Sequence, residues 1–385
     1  MTILDERHKE SGQAPEEPEV LFKEARRRRH RRWAVGGVVF IAAALLVGTL
    51  VHLAKAPSHR SLPPKAHVHA KPTVPTGPST GVEPKQPGAL AIAPNGTLYI
   101  SDGGRNQILA RTPSGHFQVI AGNGRVGFSG DGGPAVDAEL DGPQGIAVSP
   151  TGTVYFADAY RIREVAPNGI INTIAGNGQQ SDSLDPPSTS APATQVAIGN
   201  TAAVAVGPDG TVYFTGFNQV LQLSADGTLT VVGDAGTFTA FDPALPLDNQ
   251  CDPISLAFDG AGDLYIGCSD PFVLLERTTD GTLHYLGALR PHDAVSAMAD
   301  VPGGGMLALE GASIASYGSA APRPDNDFLS YRLPGNAGFW PQGIAVSADG
   351  TVYLSQDGLA GIGPPAIVEQ SSSGKVSVLW GPGPP

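Results

Sequence analysis

Short stretches of alternating apolar and polar residues recur through the last three quarters of this 385-residue chain, separated by Gly, Pro, Asn and Asp. In one such unit GIAVSP (residues 145–150) alternates with period two, a Pro-Thr-Gly turn follows, and TVYFAD (153–158) returns. A third run, RIREVA (161–166), meets the turn Asn168-Gly169, and IINTIAG (170–176) closes the unit. Period-two alternation bounded by turn residues predicts antiparallel strands, and Asn-Gly or Asp-Gly supplies the positive φ of a tight hairpin. Four strands are predicted per unit.

The unit repeats. PQGIAVSPTGTVY from Pro143 and PQGIAVSADGTVY from Pro341 agree at 11 of 13 positions, and looser copies start at Pro87, Ala202, Ile254 and Val295. The matching positions Tyr99, Tyr155, Tyr213, Tyr265, Leu307 and Tyr353 lie 42 to 58 residues apart. Six units of this length with four antiparallel strands each predict an all-β fold, a six-bladed β-propeller over residues 87–385. The first unit opens on its innermost strand and the last closes on its outermost, so ring closure by packing alone is expected.

A different pattern precedes the repeats. Residues 34–54, AVGGVVFIAAALLVGTLVHLA, are apolar with His52 as the one ionisable side chain. As a helix they would span about 31 Å, the thickness of a bilayer core. The run Arg26-Arg27-Arg28-Arg29-His30-Arg31-Arg32 stands directly before them. The positive-inside rule then places a 1–33 tail in the cytoplasm and the propeller outside the cell, on a single-pass anchor. Ala54-Lys55-Ala56 has the small-x-small form of a signal-peptidase site, so cleavage near Ala56 is the alternative. Residues 55–86 carry seven prolines and read as an extended Pro-rich linker.

Charge and cysteines sharpen this picture. The formal net charge of −12 is an average: residues 87–385 hold 10 Lys/Arg against 28 Asp/Glu. So acidic a domain has no phosphate-binding footprint, which argues against nucleic acid as a partner, and it would attract cations and basic peptides. As an exported propeller it is expected to bind a peptide, a glycan or a protein outside the cell. The two cysteines, Cys251 and Cys268, flank the first hairpin of the fourth unit and are expected to form a structural disulfide, with Ile254 opposite Cys268.

Ligands of propellers usually bind over the channel mouth, on the face that collects the second-to-third-strand loops and the connections between blades. Candidates there are Gln144, Asn200, Asp293, Trp340 and Gln342, with Trp340 offering a stacking surface. His292 and Glu310 are the His and the Glu predicted on this face, and are the candidate acid–base pair. Asp102 and Asp158, which end second strands, are expected to bond their own turns. No cofactor motif is present. The acidic loop 127–141 lacks the alternating Asx pattern of a calcium loop, so a divalent cation is a secondary expectation.

Ala121-Gly122-Asn123-Gly124, then Phe128-Ser129-Gly130-Asp131-Gly132-Gly133-Pro134-Ala135, then PQGIAVSPTGTVYFADAYRIREV resemble the NHL units of teneurins and of many bacterial secreted proteins. The resemblance implies an NHL-repeat six-bladed propeller acting as a ligand- or protein-binding sensor or scaffold, without catalysis. The alternative is a hydrolase or lyase of the gluconolactonase or streptogramin-lyase type. For that, an acidic/Asn cluster would have to line the channel, and Glu310 and Asn200 are its available members.

Overall fold

A computed structural model describes residues 81–180, 191–216, 218–233, 251–269, 272–288, 294–302, 304–310, 313–317, 341–358 and 364–381. The expected membrane anchor at 34–54 lies outside them. Among the described residues no helix is long and apolar enough to cross a membrane.

The described residues form six antiparallel sheets, each built from consecutive strands. These blades occupy 87–121, 146–175, 204–233, 253–288, 295–317 and 343–380. Five have four strands; three strands of blade 5 fall within the described residues. The first strand of each blade packs against the first strands of the blades on either side, blade 6 against blade 1 included, so these six strands ring the central axis. All β and six-bladed, the fold follows from the repeat.

Each seam between neighbouring blades holds one cluster of buried side chains. Ile108, Phe156 and Leu140 fill the seam between blades 1 and 2; Ile162, Phe214 and Ile198 fill the next. Leu98, Ile100, Leu109 and Ile367 join blade 6 to blade 1. The ring therefore closes by side-chain packing, and among the described residues no strand is exchanged between its ends. One backbone carbonyl adds to the closure, since the Ser355 hydroxyl of blade 6 donates to Gly88 O of blade 1.

Close approach at the axis explains the glycine of the Pro-Gln-Gly motif. A Cβ on Gly145 would lie 2.5 Å from Ala202 O and 2.7 Å from the Ala203 Cα of the next blade. Gly343 meets Gly88 O and Ala89 in the same way.

The propeller begins earlier than composition suggests. Pro84 is buried, Val82 packs into the seam between blades 6 and 1, and the amides of Lys85 and Gln86 donate to Asp102. Residues 82–86, which composition assigns to the linker, fill that seam as inter-blade loops fill the others.

Candidate functional site

The face carrying the second-to-third-strand loops is organised by a clamp at the end of each second strand. Asp102 is fully buried and accepts the amides of Lys85 at 2.7 Å and Gln86 at 3.0 Å. Asp158 accepts Asp141 N at 2.6 Å. Lys85 and Asp141 each stand two residues before the proline at the head of the repeat motif, Pro87 and Pro143. These carboxylates thus tie the incoming chain to the blade, 16 or 17 residues upstream, instead of bonding their own turns as expected. The reason is burial: an aspartate sealed under the incoming segment is held most strongly by that segment's amides.

Blade 4 makes the same tie covalently. Pro253 lies opposite Cys268 as Pro87 lies opposite Asp102, so the register is one residue removed from the expected Ile254. Cys251, two residues before Pro253, is joined to Cys268 by a disulfide with the Cα atoms 5.4 Å apart. Both cysteines are buried. Blade 3 has Gly216 at this position, with Ile198 O 2.6 Å from where a Cβ would be. Blade 6 has Gln356, which donates to Pro364 O at 2.9 Å.

Blade 5 has Glu310 at the clamp position, opposite Val295. Its carboxylate accepts the Tyr317 hydroxyl. Burial, and next the bond to Glu310, push the Tyr317 phenol well above its ordinary range. His292, the expected partner of Glu310, lies outside the described residues, as do Asp293 and Trp340. Gln144, Asn200 and Gln342 are exposed. Gln342 reaches the channel mouth, which is lined chiefly by small and apolar first-strand residues such as Ala89, Gly145, Ala203 and Ala297. Its free volume is about 60 Å³, room for little more than water. The channel lining includes neither Glu310 nor Asn200. Among the described residues no group of three or more His, Cys, Asp or Glu side chains converges on a metal-sized site.

The most elaborate polar structure lies instead on the connection from blade 1 to blade 2. Arg163, on the third strand of blade 2, is fully buried. It donates to Ser129 O and Asp131 Oδ1, both at 2.8 Å, to Glu139 O at 3.1 Å and to Asp158 Oδ2 at 3.4 Å. The guanidinium thus gathers both ends of the 127–141 loop onto the Asp158 clamp. Burial raises the Asp158 carboxyl above its ordinary range, while the Asp141 amide and the Arg163 charge oppose the rise. The signal in the sequence is one arginine in a column that is otherwise apolar: the register sets Arg163 level with Leu109, Leu221, Leu275 and Val368.

The loop held this way presents apolar groups outward. Val126, Phe128 and Val136 are 68%, 44% and 46% exposed and are the exposed large hydrophobics among the described residues. The Arg161 guanidinium stacks on the Phe128 ring at 3.6 Å, which fixes the ring in place without covering it. Upstream, Gly122 N donates to Ala135 O and Asn123 N to Ala138 O. The next connection repeats this, with Gly176 N to Ala193 O and Asn177 N to Val196 O.

This repeated loop lies within a segment that is similar to known proteins. Residues 110–233 match the family model described as the teneurin NHL domain. This segment is similar to teneurin NHL repeats. Teneurin-m of Drosophila melanogaster is 30% identical over 204 residues, 47% of this chain and 8% of that protein. Mouse teneurin-3 is 34% identical over 151 residues, 35% of this chain and 6% of that protein. Human teneurin-1 is 33% identical over 159 residues, 37% of this chain and 6% of its own length. The chain therefore spans less than a tenth of these relatives.

Among solved structures, a virginiamycin B lyase from Staphylococcus aureus has a TM-score of 0.47 at 15% identity, covering 76% of this chain and 84% of that one. A gluconolactonase from Xanthomonas campestris has a TM-score of 0.49 at 14% identity, covering 77% and 87%. A chain of a nidogen/laminin complex has a TM-score of 0.45 at 12% identity, covering 75% and 91%. At these scores the likenesses carry no weight for function. The similarity to NHL repeats rests on the sequence match.

Proposed function

We propose that this protein is a membrane-anchored NHL propeller that holds a partner protein outside the cell and performs no chemistry of its own. The observation that carries this reading is the apolar display of Val126 and Phe128 on a rigidly pinned loop of the teneurin-type segment. Large hydrophobics held outward at the rim of an otherwise polar surface mark a protein-docking surface. The expected anchor at residues 34–54, the basic run before it and the Cys251–Cys268 disulfide together support an oxidising compartment outside the membrane.

A photo-reactive amino acid placed at Val126 in the full-length chain, expressed in its own cells, tests the proposal. One discrete protein adduct is expected at Val126, and none at Gln180, the equivalent position in the connection from blade 2 to blade 3. Absence of an adduct at Val126, or the same adducts at both positions, would overturn it.

A further inference from the structure

Beside the loop lies a groove between blades 1 and 2, on the opposite face from the clamps, with a volume of about 420 Å³. Pro94, Pro134, Pro150 and Pro167 rim it, and Tyr99 and Val136 contribute apolar surface. None of its lining residues is Asp, Glu, Lys, Arg or His, in a domain dense with carboxylates.

Beneath the groove lies an unpaired buried donor. Gln118 lines it, and the Gln118 Nε2 has no hydrogen-bond partner. The repeat explains why. In blade 2 the equivalent Asn172 stands across from Glu164 and is bonded by its carboxylate. In blade 1 the residue across from Gln118 is Ala110, which has nothing to accept with. The exposed Val136 likewise corresponds to Thr194 in the next connection, since Ala135 and Ala193 accept the same loop bond. An uncharged and largely apolar occupant suits this groove.

The chain contains such a segment. Residues 72–80, Pro-Thr-Val-Pro-Thr-Gly-Pro-Ser-Thr, carry no charge and run directly into Gly81. An extended proline-rich strand leaves its backbone carbonyls free of internal hydrogen bonds. Position favours it too. Lys85 and Asp141 occupy the same clamp position, so Gly81, four residues upstream, corresponds to Asp137, the neighbour of the groove residue Val136. Gly81 therefore stands at the mouth of the seam one blade away. Nine residues at about 3.1 Å each reach roughly 28 Å. Neighbouring sheets stack about 10 Å apart and splay to roughly twice that at the rim.

We infer that residues 72–80 dock in the groove between blades 1 and 2, folding the end of the linker back along blade 1. The tether raises the local concentration of the segment, so a weak intrinsic affinity suffices. Docking of this kind shortens the free linker.

A fluorescent peptide of residues 70–82, titrated against two full-length chains, tests this. One chain is natural; in the other, residues 72–80 are replaced by Gly and Ser at equal length. The peptide is expected to bind the replaced chain at least tenfold more tightly than the natural one, whose groove is already filled. Val136→Asp in the replaced chain should remove the binding, and a control Thr194→Asp should not. Equal binding to both chains, no binding to the replaced chain, or binding indifferent to Val136→Asp would each overturn the proposal. Unchanged urea midpoints for the variants confirm that the fold is retained.

Discussion

Replacing Arg163 by methionine keeps most of the side-chain volume and removes the charge on which the first connecting loop is built. In the natural chain the guanidinium makes four hydrogen bonds, two of them to carboxylates. Asp131 is 41% exposed, so its pairing is screened and contributes little, but Asp158 is 2% exposed. Breaking a buried pair by deleting one partner costs about 3–5 kcal/mol. Asp158 keeps the Asp141 amide, which places the expected loss near the lower end, about 3 kcal/mol. For a domain of this size that is a Tm lowered by roughly 5 °C.

The loss has a pH signature. Burial raises the Asp158 carboxyl and Arg163 opposes the rise, so Arg163→Met lifts it further. A carboxyl whose folded pKa exceeds its unfolded value weakens the fold when ionised. The deficit of the variant is therefore full above the folded pKa and relieved as pH falls through it toward the unfolded value of about 4. Thermal melts of the full chain at about pH 7.5 and pH 4.5 measure both effects, and adding Asp158→Asn should return part of the loss at neutral pH. A Tm within about 2 °C of the natural chain, or a deficit equal at the two pH values, would refute the reasoning.

Asp102→Ala leaves the amides of Lys85 and Gln86 without their acceptor; a loss of about 2–3 kcal/mol is expected in urea denaturation, with faster amide exchange at residues 82–86. If a carboxylate and the disulfide do the same job, Cys251→Ala with Cys268→Asp should be more stable than Cys251→Ala with Cys268→Ala by about 1–2 kcal/mol, again read from urea midpoints. Gly343→Val drives a side chain into Gly88 O and Ala89 across the ring closure; it should cost about 3 kcal/mol or more and loosen blades 1 and 6 first in hydrogen exchange.

The blades were legible because each strand alternates against a buried seam and each turn needs Gly, Asn or Asp, so local chemistry and global fold agree. What pairs across the repeat was less legible. Asp102 and Asp158 were visible as the ends of second strands, but their partners lie 16 or 17 residues upstream, in the segment that sits on them only once the ring is formed. Arg163 reads as one polar residue in an alternating strand until the blades are aligned and its column proves apolar. Pro84 and Val82 looked like linker because proline composition records chain stiffness and is blind to packing. Gln144, Asn200 and Gln342 are exposed, while the apolar display of the first connecting loop was hidden in a segment read for its glycines and carboxylates.

The central claim is that this propeller acts by holding a partner on Val126 and Phe128. Its most direct measurement is calorimetric titration of the partner identified by cross-linking at Val126 against the natural full-length chain and against the Val126→Asp/Phe128→Asp variant. Each apolar side chain buried at an interface contributes about 1.5–3 kcal/mol, so a loss of affinity of at least about 30-fold is predicted, with an unchanged melting temperature. Equal affinity for the two chains would contradict the account.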